Sequence, residues 1–301
     1  MRLLSLLVGI LLSFNIAASN TIKLILPAGV GGLIHKYALD LEPFINKELA
    51  SAIVMDFKPG ANGIVGAKTL VESKTTNLVL MMGPPHNWQD LDNGDKSIDP
   101  INDIIPVAFL GTVPGVIFSK ANNNFKNFKE AIEYSKSKSI TYGIPMASAN
   151  LPLFRKIAKK YTNTTNFVEI MYKSGSSVTT DVLGGHITIG VSIVSNISQY
   201  VATGTLIPLA VFSSRRSSNL PGVPTIQELG VGIPDEFKFY NNVFLWANKN
   251  ADPAAIKKLR LALDNYMSSE ESLGLRSRQD IQMGNRSVRT PEKYLKELLN
   301  E

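Results

Sequence analysis

With 301 residues, 44% of them apolar and 19% charged, the chain is too apolar for a disordered polypeptide and too long for one ordinary hydrophobic core, so two globular domains are expected. The formal charge of +6 comes from scattered residues; only Arg215-Arg216 and the group Arg276, Arg278, Arg286 and Arg289 approach a cluster, and no aromatic platform is interleaved, so nucleic acid is not an expected partner. Zero cysteines exclude disulfides, thiol nucleophiles, Fe–S clusters and cysteine-based zinc sites.

The chain opens with Met1-Arg2, an apolar run from Leu3 to Leu12 and the small residues Ala17, Ala18 and Ser19. That is a secretory signal pattern, since the run breaks at Ser13 and Asn15, far short of the roughly 20 apolar residues of a membrane span. Residues 1–19 are therefore expected to be a signal peptide, cut after Ala18 or Ser19. With no cysteine there to lipidate, the mature product is expected to be free and soluble.

Strand-like and helix-like segments then alternate, as in a sheet with crossover helices. Ile22 to Leu26 reads as a strand, followed by the loop from Pro27 to Gly32 and a helix carrying Leu33, Tyr37, Leu41, Phe44 and Ile45 at helical spacing. Ile53 to Phe57 is a second strand, Pro59 to Gly63 a turn, Ile64 to Glu72 a helix and Asn77 to Met82 a third strand. The apolar stretch from Ala108 to Phe118, broken by Gly111, Pro114 and Gly115, is expected to cross between domains.

A second series follows: helices Phe125 to Ser135, Leu151 to Tyr161, Ser176 to Leu183 and Asn196 to Ala202 alternate with strands Ile140 to Gly143, Phe167 to Met171, Ile187 to Ser192 and Ile207 to Phe212. A short helix from Ile226 to Leu229, a strand from Val243 to Ala247 and helices Pro253 to Met267 and Pro291 to Leu299 complete the reading. The expected division is 20–118 plus 236–301 for one lobe and 119–235 for the other.

Catalytic and cofactor motifs are sparse. His35, His86 and His186 show no metal spacing, so no metal and no cofactor are expected. Gly60, Gly63 and Gly66 before Lys68-Thr69 fail as a phosphate loop because Ala67 stands where glycine must precede the lysine.

The order of signposts resembles the substrate-binding receptors of tripartite tricarboxylate transporters, the periplasmic Bug family. The stretches that carry it are Leu26-Pro27-Ala28-Gly29, Lys58-Pro59-Gly60-Ala61-Asn62-Gly63, Thr141-Tyr142-Gly143, Tyr172-Lys173-Ser174-Gly175, Asp181 to His186, and Leu220-Pro221-Gly222-Val223-Pro224-Thr225 with Glu228-Leu229-Gly230. The resemblance implies an α/β, two-lobed, type II-like periplasmic binding protein fold with a hinge and an interlobe ligand cleft. It also implies a non-enzymatic, monomeric receptor that takes a small-molecule carboxylate and transiently contacts integral membrane transporter subunits.

Helix N-termini leave backbone N–H groups unpartnered and carry partial positive charge, so loops of small residues before helices are candidate anion sites. Pro27, Ala28, Gly29, Val30, Gly31 and Gly32 form the first such loop, and Ser148, Asn150, Tyr172, Ser174, Gly175, Ser176 and Ser192 are candidates from the second lobe, with Asn150 and Ser174 as N-caps. Lys173 offers a charge beside them, and His86 with Trp88 lies in a polar loop that either borders the cleft or is plain surface. Leu33 where the family commonly has an acidic residue, the apolar Ile144 to Asn150 loop and Ser192 in place of an aspartate imply a less polar pocket, in which an apolar or aromatic monocarboxylate competes with a di- or tricarboxylate. Two alternatives stay open: a serine hydrolase using Ser174 to Ser177 with Lys173 or His186 as base, and a sensing or partner-binding module without transport.

Overall fold

The computed structural model describes residues 20–84, 98–145, 148, 151–160, 166–213, 215–230, 241–281 and 291–299. The segment expected to be a signal peptide, Asn150, His86, Trp88, Arg286 and Arg289 lie outside the described residues.

Two five-stranded sheets organise the chain. The first contains β1 (Asn20–Leu26), β2 (Ser51–Phe57), β3 (Val79–Gly83), β4 (Ile104–Val113) and β10 (Asn241–Asn248) in the order β2-β1-β3-β10-β4. The second contains β5 (Gly115–Lys120), β6 (Ile140–Pro145), β7 (Phe167–Tyr172), β8 (Ile189–Ile193) and β9 (Leu206–Phe212) in the order β7-β6-β8-β5-β9. Each sheet combines four mutually parallel strands with one antiparallel insert, β10 in the first and β5 in the second. Sheet membership changes at Pro114, between β4 and β5.

Helices cover both faces of each sheet, which is why the inner strands are apolar on both sides rather than alternating. In β1, Ile22, Leu24 and Leu26 face one core cluster and Ile25 the opposite one, all buried. Helix α1 (Leu33–Leu49) turns Ile34, Tyr37, Ala38, Leu41 and Ile45 towards the sheet, the spacing of one helical face. It shares that face with α7 (Pro253–Met267), while α2 (Ile64–Val71) and α9 (Pro291–Leu299) pack on the other. The second sheet is covered by α3 (Phe128–Ser135) and α4 (Leu151–Lys160) on one side and by α5 (Gly175–Gly184) and α6 (Val194–Ala202) on the other.

Two elements differ from the sequence reading. Helix α8 (Glu270–Gln279) was not legible, because it buries little beyond Ser272 and Leu275 and so shows no apolar stripe. The helix expected from Ile226 to Leu229 is a closed turn: Thr225 N–H donates to the Glu228 carboxylate at 2.7 Å and Glu228 N–H to Thr225 Oγ1 at 3.1 Å. This reciprocal cap holds one turn, Gly230 ends it at φ 64°, and buried Ile226 anchors it in the second core. Arg216 donates to Glu228 from outside at 3.0 Å, so the Leu220 to Gly230 motif is built for the fold.

One ion pair ties α4 to the sheet. Glu169 on β7 accepts from Arg155 Nε and a terminal guanidinium nitrogen at 3.0 and 2.7 Å and from the Tyr142 hydroxyl at 2.5 Å. Burial alone raises the Glu169 pKa, but these donors outweigh it and hold the carboxyl below its usual range. A depressed carboxyl stabilises the fold above its unfolded pKa and loses that contribution as pH falls through the folded value. Glu169→Gln is therefore expected to cost about 1 kcal/mol at pH 7, discounted for the partly exposed pair, and almost nothing at pH 2. Urea midpoints at both pH values read this, and an equal loss at both would show that the charge contributes nothing.

Candidate functional site

Between the sheets lies a cavity with about 590 Å³ of empty space, partly open to solvent, and three helices begin at its wall. The residue before the first turn of α1 is Gly32, that of α5 is Ser174 and that of α6 is Ile193; all three line the cavity. Ser174 caps its own helix, accepting from Ser177 N–H at 3.3 Å. Gly32 and Ile193 have no side-chain oxygen to offer, so the leading amides of α1 and α6 receive no side-chain cap. Each helix start also brings about half a positive charge, and the three together make an anion-attracting wall from both lobes.

The remaining lining sharpens this. Ala28, Leu33, Ile34, Pro84, Pro145 and Val243 are apolar, while Ser148, Ser192, Asn196 and Asn242 are polar and uncharged. Among the described residues Lys173 is the only charged residue in the lining, and neither an acidic side chain nor a histidine is present in it. A cavity with helix starts, hydroxyls and one lysine, and with no counter-charge for a cation, favours an anion.

Glycine is required where the walls come together. A Cβ on Gly175 would stand 2.3 Å from Ser192 Oγ and 2.9 Å from Asn196 Nδ2, so no larger residue fits where α5 approaches β8 and α6. Gly31 adopts φ 80°, a left-handed conformation that glycine takes without strain.

The lobes touch at the cavity rim. Gly29 N–H donates to the Lys173 carbonyl at 2.9 Å, the Ser176 hydroxyl donates to the Gly31 carbonyl, and Lys36 Nζ donates to Asn196 Oδ1 at 2.5 Å. Burial lowers the Lys36 pKa, with Asp40 acting in the opposite direction. Asn196 passes the contact on, donating to Ser192 Oγ at 2.9 Å. This network closes the two lobes on each other.

Of the candidates named from sequence, Ala28, Gly32, Ser148, Ser174, Gly175 and Ser192 line the cavity. Pro27, Gly29, Val30, Gly31, Tyr172 and Ser176 are not in its lining. Val30 is solvent-exposed, and Gly29, Gly31 and Ser176 form the interlobe contact. The amides expected to be open in that loop are already used, because Gly31 N–H donates to His35 Nδ1 at 2.9 Å and Gly29 N–H to Lys173. Tyr172 gives its hydroxyl to Asp181 at 2.6 Å, and burial followed by that bond pushes its pKa up to about 12. His186 lies against Gly184, away from the lining.

Sequence reasoning missed the start of α6, with Ile193 and Asn196, and the crossing-strand residues Asn242 and Val243. The four-residue spacing of Ser192 and Asn196 was a usable signal for the first pair. For the second there was none, because Asn242 reaches the cavity through strand pairing with Thr112 on β4. Among the described residues no cluster of metal-binding side chains is present, and no helix is long and apolar enough to cross a membrane.

Residues 40–300 match the family model described as tripartite tricarboxylate transporter family receptor. A UPF0065 protein of Bordetella bronchiseptica is 27% identical over 245 residues, covering 76% of this chain and 70% of its own. The structure of the periplasmic binding protein BugD superposes with a TM-score of 0.80 at 19% identity, covering 92% of this chain and 93% of its own. A structure of R. palustris Rpa4515 with adipate gives a TM-score of 0.79 at 17% identity, with 93% of both chains covered.

Proposed function

Because this chain belongs to the tripartite tricarboxylate transporter receptor family, we propose that it is a periplasmic receptor that closes on a small carboxylate and hands it to the integral membrane subunits of such a transporter. The observation that carries this reading is the convergence of three helix starts, from both lobes, on one cavity whose described lining holds a lysine and no acid. Adipate in the similar R. palustris protein supports the carboxylate class. The lining is otherwise apolar enough for a short carbon chain or a ring between polar ends.

Closure turns about the passage at Pro114, where the chain leaves one sheet for the other. Ser174 serves here as a helix cap shared with Ser177, whose hydroxyl is 3.0 Å away, and not as a nucleophile. The receptor acts as a monomer, with its first 19 residues directing export.

Native mass spectrometry of the protein isolated from its own periplasm, followed by thermal shift with C4 to C6 diacids, citrate and aromatic acids, tests the assignment. A bound acid is expected to stabilise the fold by about 2.7 kcal/mol at a hundredfold excess over its Kd. Stabilisation by amines or amides but by no acid would overturn the carboxylate class, and turnover of an ester or amide would overturn the receptor role.

A further inference from the structure

Lys36, on α1 of the first lobe, is not in the cavity lining, yet its ammonium reaches Asn196 on α6 of the second lobe. An ammonium group can only donate, so the part of the Asn196 amide that faces it at 2.5 Å is the oxygen, Oδ1. That choice fixes the other half of the amide. Nδ2 faces Ser192 Oγ at 2.9 Å and donates to it. With a lone pair of Oγ taken by Asn196, the Ser192 hydroxyl hydrogen is left to donate elsewhere, and it has no acceptor among the described residues.

Ser192 and Asn196 are both buried and both line the cavity. Ser192 stands at the end of β8, two residues before α6, and its Oγ lies against Gly175, the first residue of α5. The unused hydrogen is therefore placed between two of the three helix starts. A buried hydroxyl hydrogen without an acceptor is costly, and an oxygen of a bound acid at that place removes the cost.

We infer that Lys36 is a positioning residue for ligand capture: by holding the Asn196 amide from the opposite lobe, it makes the Ser192 hydroxyl a donor to the ligand. This rests on the carboxylate reading above. Without Lys36 the amide is free to turn over and present Oδ1 to Ser192, whose hydrogen then goes to Asn196 and is lost to the ligand. Because Lys36 reaches Asn196 across the lobe boundary, the donor is set as the lobes meet.

A double-mutant cycle on the full mature protein tests this, by calorimetry with adipate, succinate, citrate and benzoate, continued with whichever binds most tightly. Ser192→Ala and Lys36→Met are each expected to weaken binding by about tenfold to a hundredfold, the worth of a hydrogen bond to a charged group. In the double variant the affinity is expected to stay within about threefold of Ser192→Ala alone, since no hydroxyl remains to be oriented. Lys36→Arg keeps a cation that can only donate and is expected to bind within about threefold of wild type. Urea midpoints establish that the variants are folded.

A folded double variant weaker than Ser192→Ala by the full Lys36→Met factor would show that Lys36 merely holds the lobes together. Unchanged affinity in Lys36→Met would show that it does neither. Each result overturns the positioning role and leaves the carboxylate reading standing, whereas a wild type that binds none of the four acids nor any other acid would remove both.

Discussion

Gly190→Val is expected to unfold the second lobe or bring it close to unfolding. Gly190 lies on β8, the central strand of its sheet, with β6 on one side and β5 on the other. A Cβ there would stand 2.4 Å from Phe118 Cζ, 2.7 Å from Phe118 Cε1 and 2.9 Å from Val178 Cγ1. Both neighbours are fully buried and belong to the same packed core, so neither can withdraw without displacing others. Overpacking of this kind costs about 3 kcal/mol or more, a large share of the roughly 5–15 kcal/mol that stabilises a typical fold. Gly222→Val is the control, because nothing lies within 4 Å of a Cβ there, and it is expected to stay within about 0.5 kcal/mol of wild type. An unshifted urea midpoint for Gly190→Val would refute the close approach of β8 to Phe118.

Gly31→Trp is expected to lower ligand affinity by about a hundredfold or more while leaving the fold largely intact. The position is not in the cavity lining, so the effect runs through closure. A Cβ on Gly31 would meet Ser176 Oγ at 3.1 Å, and the indole beyond it would separate the two loops that join through Ser176 to Gly31 and Gly29 to Lys173. Without that contact the starts of α1 and α5 no longer face the same ligand. The intrinsic penalty of a side chain at φ 80° is about 1–2 kcal/mol. Binding by calorimetry, with compaction on ligand addition read by small-angle scattering, checks the claim. Wild-type affinity together with ligand-induced compaction in the variant would show that the loop contact has no part in closure.

These two glycines also mark how far local sequence can be read. The first strand, its glycine loop and α1 were legible because both covered faces of β1 and the single stripe of α1 write short-range periodicity into the chain. The same held for β6 to β9 and their helices. Ser174 was legible as a cap, since a serine before a helical run has one obvious hydrogen-bonding use. The Leu220 to Gly230 stretch was conspicuous as a motif, but its reciprocal Thr225–Glu228 cap needed coordinates to show a single turn. Helix α8 was hidden because polar residues dominate an element that buries so little.

The amino-acid sequence by itself determined the alternation of strands and helices, the two α/β units and the small-residue loops before helices, because these depend on neighbours within one or two turns of chain. Only the tertiary structure decided which of those loops face the cavity, that Gly29 and Gly31 spend their amides on Lys173 and His35, and that α6 adds a third helix start. It alone placed Asn242 at the cavity with its oxygen held by Thr112 and Tyr294. Those contacts join residues far apart in the chain, and such pairings are set by how sheets and lobes pack, a long-range outcome that leaves no periodic trace in local sequence.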